Sequence, residues 1–468
     1  MNRLEQLYER LPVYLQNVAC SAEGWRLQRR RFDQRFHRIL ADYRERATWP
    51  DEAIRQYQDG RVAELVQTAV RDVPFYAEWF RRNGVDARSI RSREDLQQLP
   101  ILTKNDVQSA GASMFSAAIP ISQTTMCHTS GTTGGGLRFP RAFDAEREQW
   151  AVWWRYRGWH GIQWGEWCAY FGGRSVVPAS QSAPPYWRTN YPNHQVLFST
   201  YHLSGKTVPA YVAKLRQLRP AWIHGYPSMI ALLAGMMLDL RIELGYQPRW
   251  VTTGAENLLP TQAAVIERAW GVKPRQHYGM AEGIANFSEC ELGSLHVDED
   301  YSAVEFVSVD GDPTAFRVVG TGFTNPAAPL IRYDVQDIAT LSTRGCPCGR
   351  PGRIVQQVDG RAEDYVVLTS GALVGRLDHI FKDMTEVREA QIVQTQPGEL
   401  VFRLVRSSGY GPAHEQQLRR EIAQRVGPDE RIRLEYVERL PRTASGKLRF
   451  VVSSVVSGKL GRPAGGVV

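Results

Sequence analysis

Thr129-Ser130-Gly131-Thr132-Thr133-Gly134-Gly135-Gly136 is the stretch on which the reading of this 468-residue chain turns. Each of its residues is a glycine or carries a hydroxyl. Glycines let backbone N–H groups approach phosphate oxygens, and small hydroxyls add donors without bulk. A plain flexible turn is the competing reading, but packing does not explain such a composition. The stretch lacks the Gly-Lys-Ser/Thr ending of a Walker A loop, which disfavours a P-loop NTPase.

Outward from this loop the pattern is that of an α/β architecture, with short apolar runs alternating with glycine-containing turns and amphipathic stretches. Trp167–Phe171, Ala221–His224, Trp250–Thr253 and Ala303–Val307 read as strands, and Pro209–Leu218 and Pro260–Trp270 as helices. The first hundred residues read as mostly helical, with Asp51–Val70 a helix and a break at Val73-Pro74. A boundary is expected near Gly360-Arg361. Beyond it, strands Tyr365–Leu368, Glu399–Val405 and Arg431–Val437 and helices Arg376–Met384 and Ala413–Arg425 make a small α+β unit. The expected division is 1–70 as a helical segment packed on the large domain, 71–360 as that domain, 361–456 as a small lid and 457–468 as a disordered tail.

The composition is globular, 43% hydrophobic and 23% charged. No apolar run reaches the roughly 18–20 residues that span a bilayer, and Met1–Arg10 shows no signal-peptide core, so a soluble, cytoplasmic protein is expected. The net charge of +8 invites a nucleic-acid reading. Its early excess (Arg26, Arg29, Arg30, Arg31, Arg35, Arg38, Arg44, Arg46) interleaves with Leu27, Phe32, Phe36, Ile39 and Leu40, as on the solvated face of an amphipathic helix. No nucleic-acid module accompanies it, and no nucleic-acid partner is expected.

Five further segments carry a resemblance: Gly254-Ala255-Glu256, Tyr278-Gly279-Met280-Ala281-Glu282, Arg332-Tyr333-Asp334-Val335-Gln336-Asp337, Gly360-Arg361-Ala362-Glu363-Asp364 and Pro441-Arg442-Thr443-Ala444-Ser445-Gly446-Lys447. Together with Thr129–Gly134, in this order, they resemble the motifs of the acyl-adenylate-forming (AMP-binding) superfamily. The likeness is nearest to its phenylacetate–CoA ligase-like branch, which includes enzymes of capsular polysaccharide clusters. The resemblance implies a large domain of mixed sheets and helices with a small mobile α+β C-terminal domain.

It also implies roles. Thr129, Ser130, Gly131, Thr132, Thr133 and Gly134 would hold phosphates. Gly254, Ala255 and Glu256 would line the adenine pocket, and Tyr278, with Gly279 and Met280, would stack the base. Glu282 would hold Mg²⁺. Asp337 would accept both ribose hydroxyls, with Asp334 the rival; Arg361 would approach the nucleotide. Glu363, where relatives carry Asp or Lys, would be the hinge. Lys447 would bridge the acid and the α-phosphate, where its ammonium lowers the barrier between two anions. Gly135-Gly136-Leu137-Arg138 replaces a common Gly-x-Pro-Lys ending, with Arg138 a substitute cation.

Cys290, His296, Cys346 and Cys348 form a Cys₃His set, the ligand mix of tetrahedral structural zinc, and similar pairs hold zinc in some members of this branch. Four reduced, unliganded side chains are the alternative. Cys20, Cys127 and Cys168 read as packing residues. Trp222–Ser228 resembles the acid-pocket border, so His224 and Tyr226 could touch the acid or simply pack. Trp150, Trp153, Trp154, Trp159, Trp164 and Trp167, with Tyr156, read as a core stretch before a binding wall.

The expected activity is that of an AMP-forming acid–thiol ligase. A carboxylic acid and Mg-ATP give an acyl-adenylate and pyrophosphate, and the acyl group passes to coenzyme A. An amine acceptor, giving an amide in a polysaccharide or natural-product pathway, and an adenylate-binding protein without turnover are the alternatives. The expected partners are a small-molecule acid, a thiol or amine acceptor and a possible homodimer mate.

Overall fold

The computed structural model describes residues 3–129, 137–173, 176–178, 180–309, 312–361, 366–369, 373–374, 377–381, 384, 386–427, 430–442 and 448–455. The chain divides into two compact units, each built from segments distant in sequence. One comprises residues 1–28, 162–276 and 360–461, and the other 29–161, 277–359 and 462–468.

The first unit contains strands Cys168–Phe171, Gln195–Phe198, Trp222–Gly225 and Trp250–Thr253, with Arg275 and Gln276 continuing beside the last. These run parallel, and Trp187–Asn190 closes the edge antiparallel to Gln195–Phe198. Parallel neighbours need crossovers, here the helices Val208–Leu218, Pro227–Asp239 and Pro260–Trp270. Helix Pro227–Asp239 (PSMIALLAGMMLD) is apolar on nearly every side and buried over most of its length, as such a composition requires. Its Met229, Ile230 and Leu233 join Phe171, Phe198, Tyr211 and Ile223 in one core.

The same unit holds a four-stranded sheet from the C-terminal region. Val387–Gln396 pairs antiparallel with Glu399–Arg406, and each has a parallel neighbour, Val451–Ser453 and Arg431–Tyr436 respectively. Helix Pro412–Val426 covers it through Leu418, Ile422 and Val426. The expected helix Arg376–Met384 is instead a short 3₁₀ turn, Leu377–Phe381, among the described residues. Leu377, Ile380 and Phe381 are buried there, and apolar spacing of three and four residues serves either kind of turn.

In the second unit a largely antiparallel sheet runs through Ser302–Val309, Asp312–Gly322, Tyr333–Leu341, Ile354–Arg361, Leu295–Val297 and Asn286–Glu289 to His277–Gly279. Helices Gln34–Arg46, Asp51–Asp72, Pro74–Asn83 and Phe143–Trp159 pack about it. The arginine-rich start is for the most part the solvated face that its pattern suggests, with Arg26, Arg29, Arg35, Arg38 and Arg44 exposed. The exceptions, Arg30, Arg31 and Arg46, are half-buried and pair with buried carboxylates, the first two with Glu146 and the third with Asp300. Phe36, Leu40 and Tyr43 turn the apolar side of helix Gln34–Arg46 into a core with Ala151 and Val152. Trp150 and Trp153 pack edge-on at 5.1 Å beside that core, whereas Trp164 and Trp167 are exposed. No helix among the described residues is long and apolar enough to cross a membrane.

Candidate active site

In the second unit, Tyr278 is the penultimate residue of strand Arg275–Gly279, and Gly279, which ends it, faces Asn286 in the neighbouring strand. A Cβ on Gly279 would lie 2.7 Å from Asn286 Oδ1, so glycine is needed for this close approach. The Tyr278 ring stacks on Phe287 (centroids 4.6 Å apart, planes 20° apart), and its hydroxyl donates to Asp337 Oδ2 at 2.5 Å. The two segments therefore converge from strands 59 residues apart in the chain. Gln149 Nε2 donates to Met280 O at 2.8 Å, pinning the turn that leads to the half-buried Glu282.

Asp334 is in a different setting. It is buried, paired with Arg317, and accepts from the Gln336 N–H at 2.9 Å. Between the two aspartates Gln336 adopts φ +66°, and in the first unit Ala255 adopts φ +67°. Left-handed backbone at residues bearing a Cβ costs roughly 1–2 kcal/mol and gathers at functional loops. Thr129 closes its end of the glycine-rich stretch by accepting the Leu137 N–H at its hydroxyl (2.8 Å), while its own N–H donates to Leu137 O (3.0 Å). Ser130, Gly131, Thr132, Thr133, Gly134, Glu363 and Lys447 lie outside the described residues. Arg361 ends the strand Ile354–Arg361, and Arg138 begins Arg138–Ala142 with its side chain exposed.

The first unit holds Gly254, Ala255, Glu256, His224 and Tyr226. His224 sits mid-sheet, flanked in register by Tyr170 and Thr252, and its Nδ1 lies 2.8 Å from Thr252 Oγ1 and 3.1 Å from Thr252 O. A carbonyl only accepts, so Nδ1 carries the proton. Tyr226 is buried, and burial raises its hydroxyl pKa far above the ordinary range. Glu256 accepts the Ser228 N–H (3.3 Å) and the Leu448 N–H (2.9 Å). Burial pushes its carboxyl upward, against those hydrogen bonds and the nearby Arg442 charge. Ser228, Glu389 and Arg442 thus join the group, although no sequence signal had singled them out for a role: Arg442 binds Glu389 and donates to Ser228 Oγ at 3.2 Å.

The cysteine–histidine set also assembles, with the four donor atoms within 4.8 Å of one another. Cys290 Sγ and Cys346 Sγ are 3.7 Å apart, close to the roughly 3.8 Å edge of a tetrahedron with 2.3 Å metal–sulfur bonds. His296 Nε2 is 3.3 Å from Cys348 Sγ, while Nδ1 faces Pro351 O at 3.2 Å. That carbonyl holds the proton on Nδ1 and aims the Nε2 lone pair at the sulfur cluster, the outer-shell arrangement that metal-bound histidines use. Burial raises the Cys290 thiol. For Cys346 burial acts in the same sense but is outweighed by hydrogen bonds from Ser294, Cys348 and His296, which lower it. The donor set and its distances fit a tetrahedral zinc ion.

Residues 367–454 match the family described as the CapK C-terminal domain. Over 97% of its length the chain is 25% identical to protein CapK of Staphylococcus aureus, covering 100% of that protein. A phenylacetate-coenzyme A ligase of Thermus thermophilus is 26% identical over 69% of this chain and 74% of its own. Among solved structures, 2-hydroxyisobutyryl-CoA ligase in its postadenylation state superposes with a TM-score of 0.67 at 20% identity, covering 88% of this chain and 91% of that one. The fold is therefore that of the adenylate-forming ligases. The relatives found, CapK and the phenylacetate–CoA ligases, are those of the branch that the sequence motifs resemble.

Proposed function

We propose that this protein activates a small carboxylic acid with Mg-ATP and passes the acyl group to coenzyme A. In the first step an acid oxygen attacks the α-phosphorus, the bond to the β-phosphate oxygen breaks, and pyrophosphate leaves. In the second, the thiol sulfur attacks the acyl carbon and AMP departs. The observation that carries this reading is the convergence of Tyr278 and Asp337, an aromatic face and a diol-binding carboxylate from separate segments.

Within that reading Tyr278, Gly279 and Met280 take the adenine, Asp337 the ribose hydroxyls, and Thr129 with the glycine-rich residues that follow it the phosphates. Glu282 would hold Mg²⁺, which neutralises phosphate charge. Lys447 bridges the acid and the α-phosphate, Arg361 approaches the nucleotide and Glu363 is the pivot. Gly254 and Ala255 line the nucleotide side, and Glu256 organises the residues flanking Lys447. His224 and Tyr226 border the acid. Cys290, His296, Cys346 and Cys348 hold a structural zinc ion.

The acceptor has a second reading. The relative matched over its full length is CapK, whereas the phenylacetate–CoA ligase of Thermus thermophilus aligns with 69% of the chain, so an amine acceptor is tested alongside the thiol. ATP turnover with a panel of carboxylic acids, with coenzyme A, with amines and with neither, distinguishes them. Acid-dependent AMP and pyrophosphate, abolished in Lys447→Ala, is the expected result; ADP as product overturns it.

A further inference from the structure

The strand Val387–Gln396 carries a bulge at its start: Val387 faces Arg406 and Glu389 faces Val405, which leaves Arg388 as the extra residue. A bulge re-aims side chains that would otherwise alternate. Here two successive residues both reach helix Pro227–Asp239 and its surroundings. Arg388 lies across the helix and makes a two-point contact with Asp239 at its C-terminal end, Nη2–Oδ1 2.5 Å and Nε–Oδ2 3.2 Å. Ser408 Oγ donates to the same carboxylate at 3.2 Å. Arg388 passes over Gly235, where a Cβ would stand 2.8 Å from its Cδ, so the helix is notched where the guanidinium stem crosses it. Glu389 binds Arg442, which reaches Ser228 in the first turn of the helix. Arg442 in turn bridges to Leu448 across an antiparallel pair, and Leu448 donates to Glu256. The residue preceding Leu448 is Lys447.

We infer that helix Pro227–Asp239 is a docking rail for the C-terminal sheet, and that Arg388, Asp239, Glu389 and Arg442 are positioning residues that set the stem of the Lys447 segment for the adenylate-forming step. The inference rests on the proposed ligase reading. Three features argue against a casual surface contact. The Arg388 side chain is only 5% exposed, the guanidinium–carboxylate pair is two-pronged, and Gly235 leaves the room that the crossing requires. Bidentate geometry specifies one pose, whereas a greasy contact would tolerate sliding. Contacts that define one pose act on the half-reaction run in that pose and leave the other alone.

The test separates the half-reactions in the full-length protein. Acid-dependent ATP–pyrophosphate exchange reads the first, and transfer from a synthetic acyl-adenylate reads the second. Arg388→Gln and Asp239→Asn are expected to lower kcat for exchange at least tenfold, with KM for ATP within twofold and acyl transfer unchanged. The double variant is expected to be no worse than either single one. Exchange at the unmodified rate, or equal slowing of both halves, overturns the inference. Hydrogen–deuterium exchange supplies a readout independent of turnover: in Arg388→Gln the peptides containing Ser228 and Leu448 are expected to exchange faster. Unchanged protection there also overturns it. Absence of pyrophosphate exchange in the unmodified protein with every acid would instead count against the ligase reading, and the hydrogen-exchange result would still decide the docking.

Discussion

Asp334 lies against the Arg317 guanidinium and accepts the Gln336 N–H, whereas Asp337 accepts the Tyr278 hydroxyl from a half-buried position. A carboxylate already engaged by a cation is poorly placed to take a vicinal diol, and one that faces an aromatic side chain near the end of a strand is well placed. Asp337→Asn is therefore expected to raise KM for ATP about tenfold or more, by loss of a charge-assisted hydrogen bond, while the protein melts near the unmodified temperature. Asp334→Asn is expected to do the reverse, costing about 1–3 kcal/mol by leaving Arg317 without its partner with little change in KM. Steady-state kinetics and thermal melts on both variants check this, and the opposite assignment would make Asp334 the ribose ligand. Tyr278 and Asp337 were legible in the sequence because each sits in a short segment whose residue types suit one ligand. Ser228, Glu389 and Arg442 were not, because their partners lie far away: Arg442 is 53 residues from Glu389 and 214 from Ser228. The same holds for Asp298, which accepts from Asn286 beside Gly279 and pairs with Arg155.

Elements repeat the lesson with different physics. Trp250–Thr253 and Pro260–Trp270 lie where the sequence placed them, since a short apolar run between turn residues makes a buried strand and a proline opens a helix. The Cys290–His296 and Cys346–Cys348 pairs were visible as pairs, but only the pairing of Leu295–Val297 with Ile354 and Val355 brings their strands and loops together. If the four donors hold zinc, elemental analysis should find one zinc per chain, and Cys346→Ser should lose it. A strong chelator should lower the melting temperature of the unmodified protein and leave that of the variant unaltered. Zinc-free protein with the same melting temperature would instead show four reduced side chains needing no ion. A second prediction concerns strand Trp222–Gly225. A Cβ on Gly225 would stand 2.1 Å from Phe171 O, a backbone atom that cannot step aside without disturbing the parallel register. Gly225→Ala is expected to cost about 1–3 kcal/mol, the usual range for overpacking a core. Denaturant titration measures it, and a loss under about 0.5 kcal/mol would mean the strands can part.

The whole molecule is assembled from segments far apart in sequence, and this changes what a truncation can do. Helix Val13–Arg31 lies, through its first half, on the edge strand Trp187–Asn190: Asn17 accepts the Thr189 N–H at 2.9 Å, and Ser21 Oγ donates to Thr189 O at 3.3 Å. Beneath it Arg188 is fully buried. Its guanidinium donates to neutral oxygens, Gln16 Oε1 at 2.6 Å, Gln181 Oε1 at 2.8 Å, and the carbonyls of Pro185 and Trp187 at 2.9 and 2.7 Å. Burial lowers its pKa. A cation without bulk water depends on every acceptor, and a hydrogen bond to a charged group contributes about 1.5–3 kcal/mol. Gln16→Ala should accordingly lower the melting midpoint by several degrees. Removal of residues 1–28 is expected to go further, exposing both the guanidinium and the row of unpaired groups on the edge strand, which invites aggregation. The expected outcome is little soluble protein from the truncated chain, measured by yield and size-exclusion profile against the full-length protein. A truncated chain that stays monodisperse and melts with Gln16→Ala would show that the edge strand needs only its acceptor. One that melts with the unmodified protein would make helix Val13–Arg31 a separate appendage, contrary to the hydrogen bonds that tie it to residues 188 and 189.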